Sequence, residues 1–127
     1  MNILLDTHSF IWLDKESMKM SEVAREAVAD SQNTLFLSLV SVWEIQIKVQ
    51  LSKLVLQADL EQILEEQQAE NNLRILPIEV SHAIVVGQLP LYHKDPFDRA
   101  LIAQAMVENL PVITVDPEFK DYGVELL

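Results

Sequence analysis

Short apolar runs alternate along this chain with longer segments of helical period. "NILLD" (2–6) is apolar up to its final acid and predicts a buried strand, followed by a helix over about 8–15. "SEVAREAVADS" (21–31) offers a serine cap and apolar residues at 23, 24, 27 and 28, which predicts a second helix. "TLFLS" (34–38) reads as the next strand, "SLVSVWEIQIKVQL" (38–51) is helical by period, and 59–71 is an acidic helix. "LRILPI" (73–78) is a third strand stopped by Pro77, with a short helix over 79–88 behind it. A long helix over 96–109, a strand in "LPVITVD" (110–116) and a short closing strand in "GVELL" (123–127) complete the series. Strands of this length alternating with helices indicate an α/β domain with a mainly parallel sheet. No linker, repeat or low-complexity stretch interrupts the pattern, so one domain over residues 1–127 is expected.

Composition narrows this picture. With 127 residues, half of them apolar and only two glycines, the chain can bury a core and is neither disordered nor a repeat array. The N-terminus lacks a basic leader and puts Asp6 where a signal peptide would be apolar, and no apolar run is long enough for a membrane helix. A soluble, cytoplasmic protein with no membrane partner is therefore expected, and the absence of cysteine excludes disulfides and thiolate metal sites. The net charge of −11 argues against nucleic-acid binding through a broad basic face. Part of that excess is local: "DLEQILEEQQAE" (59–70) holds five acids and no base, as expected of a solvated helix face.

Candidate chemistry sits at the strand ends. Parallel sheets bind ligands outside the carboxyl ends of their strands. Asp6 ends the first strand and Asp116 follows "VITV", so a parallel sheet brings both to one edge. Each also suits an N-cap, and "DPEF" (116–119) has the proline of a helix start. On its helix Glu44 falls about 40° from Val40 and about 20° from Leu51, in a stripe with Trp43 and Ile47. An acid in an apolar stripe is costly without a partner. "SVWE" (41–44) also matches a capping box starting at Ser41, but the apolar period already includes Val40 and allows a start near Ser38. In "HKDPFDRALIAQA" (93–105), Asp95 suits the N-cap, Pro96 the first helical position and Asp98 the third. Capping accounts for Asp95; Asp98 can in addition point toward the edge where Asp6 and Asp116 meet.

Electrostatics decides what such a cluster requires. Two carboxylates about 4 Å apart repel by roughly 4 kcal/mol at an effective dielectric near 20. Several such pairs consume much of a folding stability of about 5–15 kcal/mol, so the cluster needs protonation or a divalent cation. All-oxygen ligands favour Mg²⁺ or Mn²⁺, ions able to activate water for phosphodiester displacement. His8, His82 and His93 show no ligand spacing and read as surface or helix-start residues, while Gly87 and Gly123 read as helix and turn punctuation. Lys48, Lys94 and Arg99 lie near the proposed edge, placed either for phosphate oxygens or for local ion pairs.

"LLDTH" (4–8), "SVWEIQIK" (41–48), "LPLYHKDPFDRALIAQA" (89–105) and "LPVITVDPEF" (110–119) together resemble the PIN domain, in particular the VapC-type toxins of bacterial toxin–antitoxin pairs. The resemblance runs over nearly the whole chain in order, and the third segment is its most specific part. It implies a three-layer α/β/α sandwich with a mainly parallel central sheet and a Mg²⁺- or Mn²⁺-dependent endoribonuclease in which a metal-activated water attacks the RNA phosphodiester. Carried over by position, the metal-holding acids are Asp6, Glu44, Asp98 and Asp116, with Thr114 as the hydroxyl of a T-x-D pattern. A cognate antitoxin and a homodimer are implied as well. Two other readings remain open: a PIN-like interaction module with little or no nuclease activity, and a PIN nuclease of RNA processing.

Overall fold

Four of the apolar runs lie side by side in parallel: β1 (Asn2–Leu5), β2 (Thr34–Ser38), β3 (Leu73–Leu76) and β4 (Val112–Ile113), in the order β3-β2-β1-β4. The computed structural model of the chain describes residues 1–15, 17–92 and 94–127. β1 pairs with β2 over its whole length, Asn2 opposite Thr34 and Leu5 opposite Leu37. β4 joins the other side of β1 through Leu4–Val112 and Leu5–Ile113.

The period of two along each strand feeds two separate cores. Ile3, Leu5, Leu35 and Leu37 face α1 (Thr7–Lys15), α2 (Glu22–Ala29) and α4 (Leu60–Asn71), meeting Phe10, Ala24 and Ile63. Leu4 and Val112 face the opposite layer, α5 (Val80–Val86) and α6 (Pro96–Glu108), where Leu101, Ile102 and Phe119 are fully buried. The architecture is the expected α/β/α sandwich, with every strand pair parallel. α3 (Leu39–Gln50) leaves the end of β2 and serves both cores, Ile45 one and Val40 the other. On α4 only Leu60, Ile63 and Gln67 are buried, while Asp59, Glu61, Glu65, Glu66 and Glu70 are exposed, so its acids form the solvated face expected.

Capping sets the helix starts. Ser21 accepts from the Ala24 amide at the head of α2, and Ser38 from Val40 at the head of α3. α3 thus begins at Ser38, and Glu44 is no capping-box residue. At the chain end the sequence expectation needs correction. β4 has two residues, and "GVELL" forms only a parallel bridge, Leu126 to Val112, instead of a strand. The chain leaves the ladder after Ile113 because the Thr114 and Asp116 side chains turn back to cap, leaving a returning segment little to pair with. Gly123 makes the preceding turn with φ +79°, a left-handed conformation that favours glycine. Among the described residues no helix is long and apolar enough to cross a membrane.

The strand order locates the ligand edge. From β1 the chain moves outward through β2 to β3, then returns across the sheet to β4 on the far side of β1. The order reverses between β1 and β4, which is where an open α/β sheet leaves a crevice at its carboxyl edge. Asp6 follows β1 at that point and Asp116 lies just beyond β4.

Candidate active site

Asp6 is held rigidly between α1 and β4. Its Oδ1 accepts the Ser9 amide (2.8 Å), as a residue capping α1 would, and its Oδ2 accepts the Thr114 hydroxyl (2.5 Å). Thr114 in turn accepts the Asp116 amide (3.0 Å), so one buried hydroxyl ties two acid-bearing segments together. Asp116 caps the following 3-10 turn through Oδ1 on the Glu118 amide (2.9 Å). The capping account of Asp6 and Asp116 is therefore correct, and it coexists with their placement on one edge.

Glu44 is buried, only 4% exposed, at the foot of α3. Its partners are polar: Oε1 accepts the Thr7 hydroxyl (2.7 Å) and Oε2 the Lys48 ammonium (2.7 Å). A hydroxyl has one proton, which Thr7 spends on the carboxylate, leaving its oxygen to accept from Ser41 (2.8 Å). The stripe that singled out Glu44 is drawn differently from the sequence expectation. Trp43 and Leu51 are exposed, and the buried face of α3 is Val40, Ser41, Glu44 and Ile45. Trp43 instead packs edge-on against Phe97.

Asp98 stands apart from the other acids. It lies in the first turn of α6, where Asp95 caps by accepting from the Phe97 (2.9 Å) and Asp98 (3.2 Å) amides behind Pro96. No described residue donates a hydrogen bond to the Asp98 carboxylate. Burial, followed by the charges of Asp95, Glu44, Asp116 and Asp6, pushes its pKa up to about 7. The four acids named by position thus share one edge and repel across it. They do not form a closed cage: among the described residues no three acidic or imidazole groups stand close enough to hold a metal as placed. These two facts agree, since charge acts over a longer range than coordination, and Ser9, Thr7, Thr114 and Lys48 hold Asp6 and Glu44 back. Lys48 supplies a local countercharge to Glu44.

Asp95→Ala should cost about 0.5–2 kcal/mol as a lost cap. Because Asp95 is the foremost charge raising Asp98, the same change should also lower the Asp98 titration. Urea unfolding and carboxyl NMR shifts read the two effects separately.

Two basic candidates take structural roles. Arg99 is buried, its guanidinium donating to the carbonyls of Val86 (3.1 Å), Leu89 (3.3 Å) and Pro90 (2.7 Å), so it is not placed for phosphate. Lys48 pairs with Glu44, and Lys94 is exposed. His82 does stand at a helix start, where its Nδ1 accepts the Glu79 amide, but it is 2% exposed and no surface residue. Its ring fills the gap between α5 and α6, which sequence period alone did not reveal. His8 is exposed on α1, Gly87 closes α5, and His93 lies outside the described residues. Sequence reasoning missed Thr7, Ser9 and Ser41. The only signal for them was a set of hydroxyls next to Asp6 and on the Glu44 face.

A family model described as PIN domain matches residues 3–125. No curated protein matches the chain. Several solved structures share its fold. VapBC2 from Rickettsia felis, bound to a DNA fragment from their promoter, gives a TM-score of 0.72 at 20% identity, over 100% of this chain and 98% of that one. DNA-bound VapBC from Salmonella typhimurium gives 0.70 at 20% identity, over 100% and 97%. FitAcB from Neisseria gonorrhoeae gives 0.64 at 24% identity, over 98% and 96%. At such identities the likeness is one of fold.

Proposed function

The chain belongs to the PIN-domain family, and from that premise we propose that it is a Mg²⁺- or Mn²⁺-dependent endoribonuclease, the toxin of a toxin–antitoxin pair, acting in the cytoplasm as a single PIN-like domain over residues 1–127. One observation carries the reading: Asp6 and Asp116 follow β1 and β4 at the switch point of the sheet, and the charges of Glu44, Asp116 and Asp6 add to burial and Asp95 in raising the pKa of Asp98. An all-oxygen donor set suits a hard divalent ion. The Asp98 oxygens, without donors among the described residues, and the unfavourable charge around them are the situation that such an ion relieves.

In this reading Asp6, Glu44, Asp98 and Asp116 hold the ion. When bound, it supplies Lewis acidity to a phosphoryl oxygen and makes water a nucleophile near neutral pH. The chain's own residues orient. Thr114 and Ser9 fix the Asp6 carboxylate, Thr7 fixes Glu44, and the short bond from Thr114 keeps the β4 turn against β1. Asp98 is about half protonated at neutral pH and would lose that proton on binding the ion, so ion binding should strengthen as pH rises through about 7.

RNA is the substrate, and a cognate antitoxin and a second copy of the chain are the partners that belong to this reading. A cleft of about 320 Å³ beside α3, α5 and α6 is walled by Trp43, Ile78, Ala83, Phe97 and Ala100 among others. The test is cleavage of a mixed panel of structured RNAs with Mn²⁺, with and without Asp98→Asn. Cleavage abolished in the variant is expected; no cleavage and no metal binding by either protein rejects the nuclease reading. Growth arrest on expression, absent with Asp98→Asn, separates a toxin from a nuclease of RNA processing. The non-enzymatic alternative has one observation in its favour, the engagement of Glu44 by Lys48. The same cleavage assay decides it.

A further inference from the structure

One groove of this acidic molecule gathers several of its lysines. The chain has nine lysines and arginines, and four of them, Lys15, Lys19, Lys48 and Lys53, line a single groove of about 350 Å³ with His8 and Trp12. Lys15 ends α1, Lys48 lies in the last turn of α3, and Lys53 follows that helix. Two stretches of the chain, residues 15–19 and 48–53, thus deliver the same charge to one concavity. Among the described residues no carboxylate lies within ion-pair distance of Lys15 or Lys53, and the Lys15 ammonium donates to the neutral Val55 carbonyl. Lys48 pairs with Glu44, whereas Lys15 and Lys53 present ammonium groups to the groove that an anion lying there would meet.

The groove is continuous with the site already described. Lys48 lines it and also contacts Glu44 at 2.7 Å, so a polyanion lying in the groove ends at the acid edge. Its wall is partly aromatic. His8 is exposed, and its ring lies 6.3 Å from that of Trp12, tilted by 49°. Ammonium groups for a phosphate backbone beside rings for bases are what proteins use to hold single strands. An acidic peptide would use the lysines but would leave the rings without a role.

We propose that this groove binds the single-stranded RNA flanking the cleaved phosphodiester, with Lys15, Lys19 and Lys53 on phosphates and the His8–Trp12 pair against a base. The proposal rests on the nuclease reading, and the experiment separates the two. Binding of a labelled single-stranded RNA oligonucleotide is followed by fluorescence anisotropy across a salt series, in the cleavage-silent Asp98→Asn protein. Adding Lys15→Gln and Lys53→Gln should weaken binding about tenfold at low salt. It should also flatten the log–log salt dependence by about 1.4, at about 0.7 for each phosphate no longer neutralised. Lys53→Gln alone, at an exposed position that cannot endanger the fold, should give half that change in slope.

Unchanged affinity and slope in both variants overturn the proposal. So does lysine-dependent binding of poly-glutamate with RNA binding unaffected, which would assign the groove to a protein partner. The unaltered chain is assayed for Mn²⁺-dependent cleavage alongside. Cleavage with a lysine-independent salt slope removes the groove and leaves the nuclease. Lysine-dependent RNA binding without cleavage does the opposite.

Discussion

Replacing Asp98 with asparagine should abolish Mn²⁺-dependent RNA cleavage while making the metal-free protein more stable at pH 8. The two effects have one cause. The Asp98 carboxyl titrates at about 7, well above the ordinary 3.8, because burial and then the charges of Asp95, Glu44, Asp116 and Asp6 disfavour its ionised form. A carboxyl with a raised folded-state pKa binds its proton more tightly in the folded than in the unfolded chain. Its ionisation therefore costs nothing below about pH 4, costs progressively more as pH rises from about 4 to 7, and is fully unfavourable above that window. Asparagine keeps the shape and removes the charge. Because the carboxyl is partly solvated, screening limits the gain at pH 8 to about 1–2 kcal/mol, with no difference near pH 4.

Urea unfolding in chelator at the two pH values measures this directly. Adding Mn²⁺ at pH 8 should stabilise the unaltered protein and leave the variant nearly unmoved. Activity should fall by at least about 100-fold, since even residues that only support metal ligands cost 10–100-fold. A loss of stability in Asp98→Asn at pH 8 would mean that the carboxylate serves the start of α6 and not the acid edge.

The largest effect on stability should come from the next residue. Arg99 is 8% exposed, and its planar fork reaches the carbonyls of Val86, Leu89 and Pro90 and the Tyr122 hydroxyl (3.3 Å). The Val86 carbonyl also accepts the Leu89 amide (3.3 Å), while the Leu89 and Pro90 carbonyls, beyond the end of α5, take the guanidinium. Arg99→Ala removes all of these contacts, leaves the buried Leu89 carbonyl without its guanidinium donor and empties a buried position, and should cost roughly 2–4 kcal/mol. Arg99→Lys should recover only part of this, because a single ammonium cannot span acceptors arranged for a guanidinium. Cleavage per folded molecule should also drop, by about 100-fold for a displacement near 1 Å, since the clamp fixes the helix start that aims Asp98. Urea midpoints for both variants, with activity normalised to the folded fraction, test the two halves. An Arg99→Lys protein as stable as the original would show that charge alone, not the fork, holds the loop.

Asp95, Asp98 and Glu44 show how far local reasoning reaches. Asp95 was readable as a cap from "DPFD" alone, because capping depends on residues three apart and nothing else. Asp98 was ambiguous in the same four residues, since its raised pKa depends first on burial and, beyond Asp95, on acids 18 to 92 positions away. Glu44 was flagged by the right anomaly, an acid in an apolar stripe, but Trp43 and Leu51 in that stripe are exposed. A helix period gives the spacing of a face, and only docking decides which face is turned inward. Arg99 was misread for a related reason: its exposure depends on a loop that a linear pattern does not describe.

By itself, the order of apolar runs determined an α/β chain with parallel strands, because strand and helix periods are local and short βα connections leave few topologies. It also placed Asp6 and Asp116 at strand ends, set the caps at Ser21 and Asp95, and allowed a start of α3 near Ser38. The tertiary structure alone decided the return of β4 beside β1, which joins Asp6 to Thr114 across 108 positions. It decided as well the burial of Arg99 and His82, and the meeting of Lys15, Lys48 and Lys53 in one groove. Each of these depends on which surfaces share space after packing, and charge and burial respond to distance in space, not to separation along the chain.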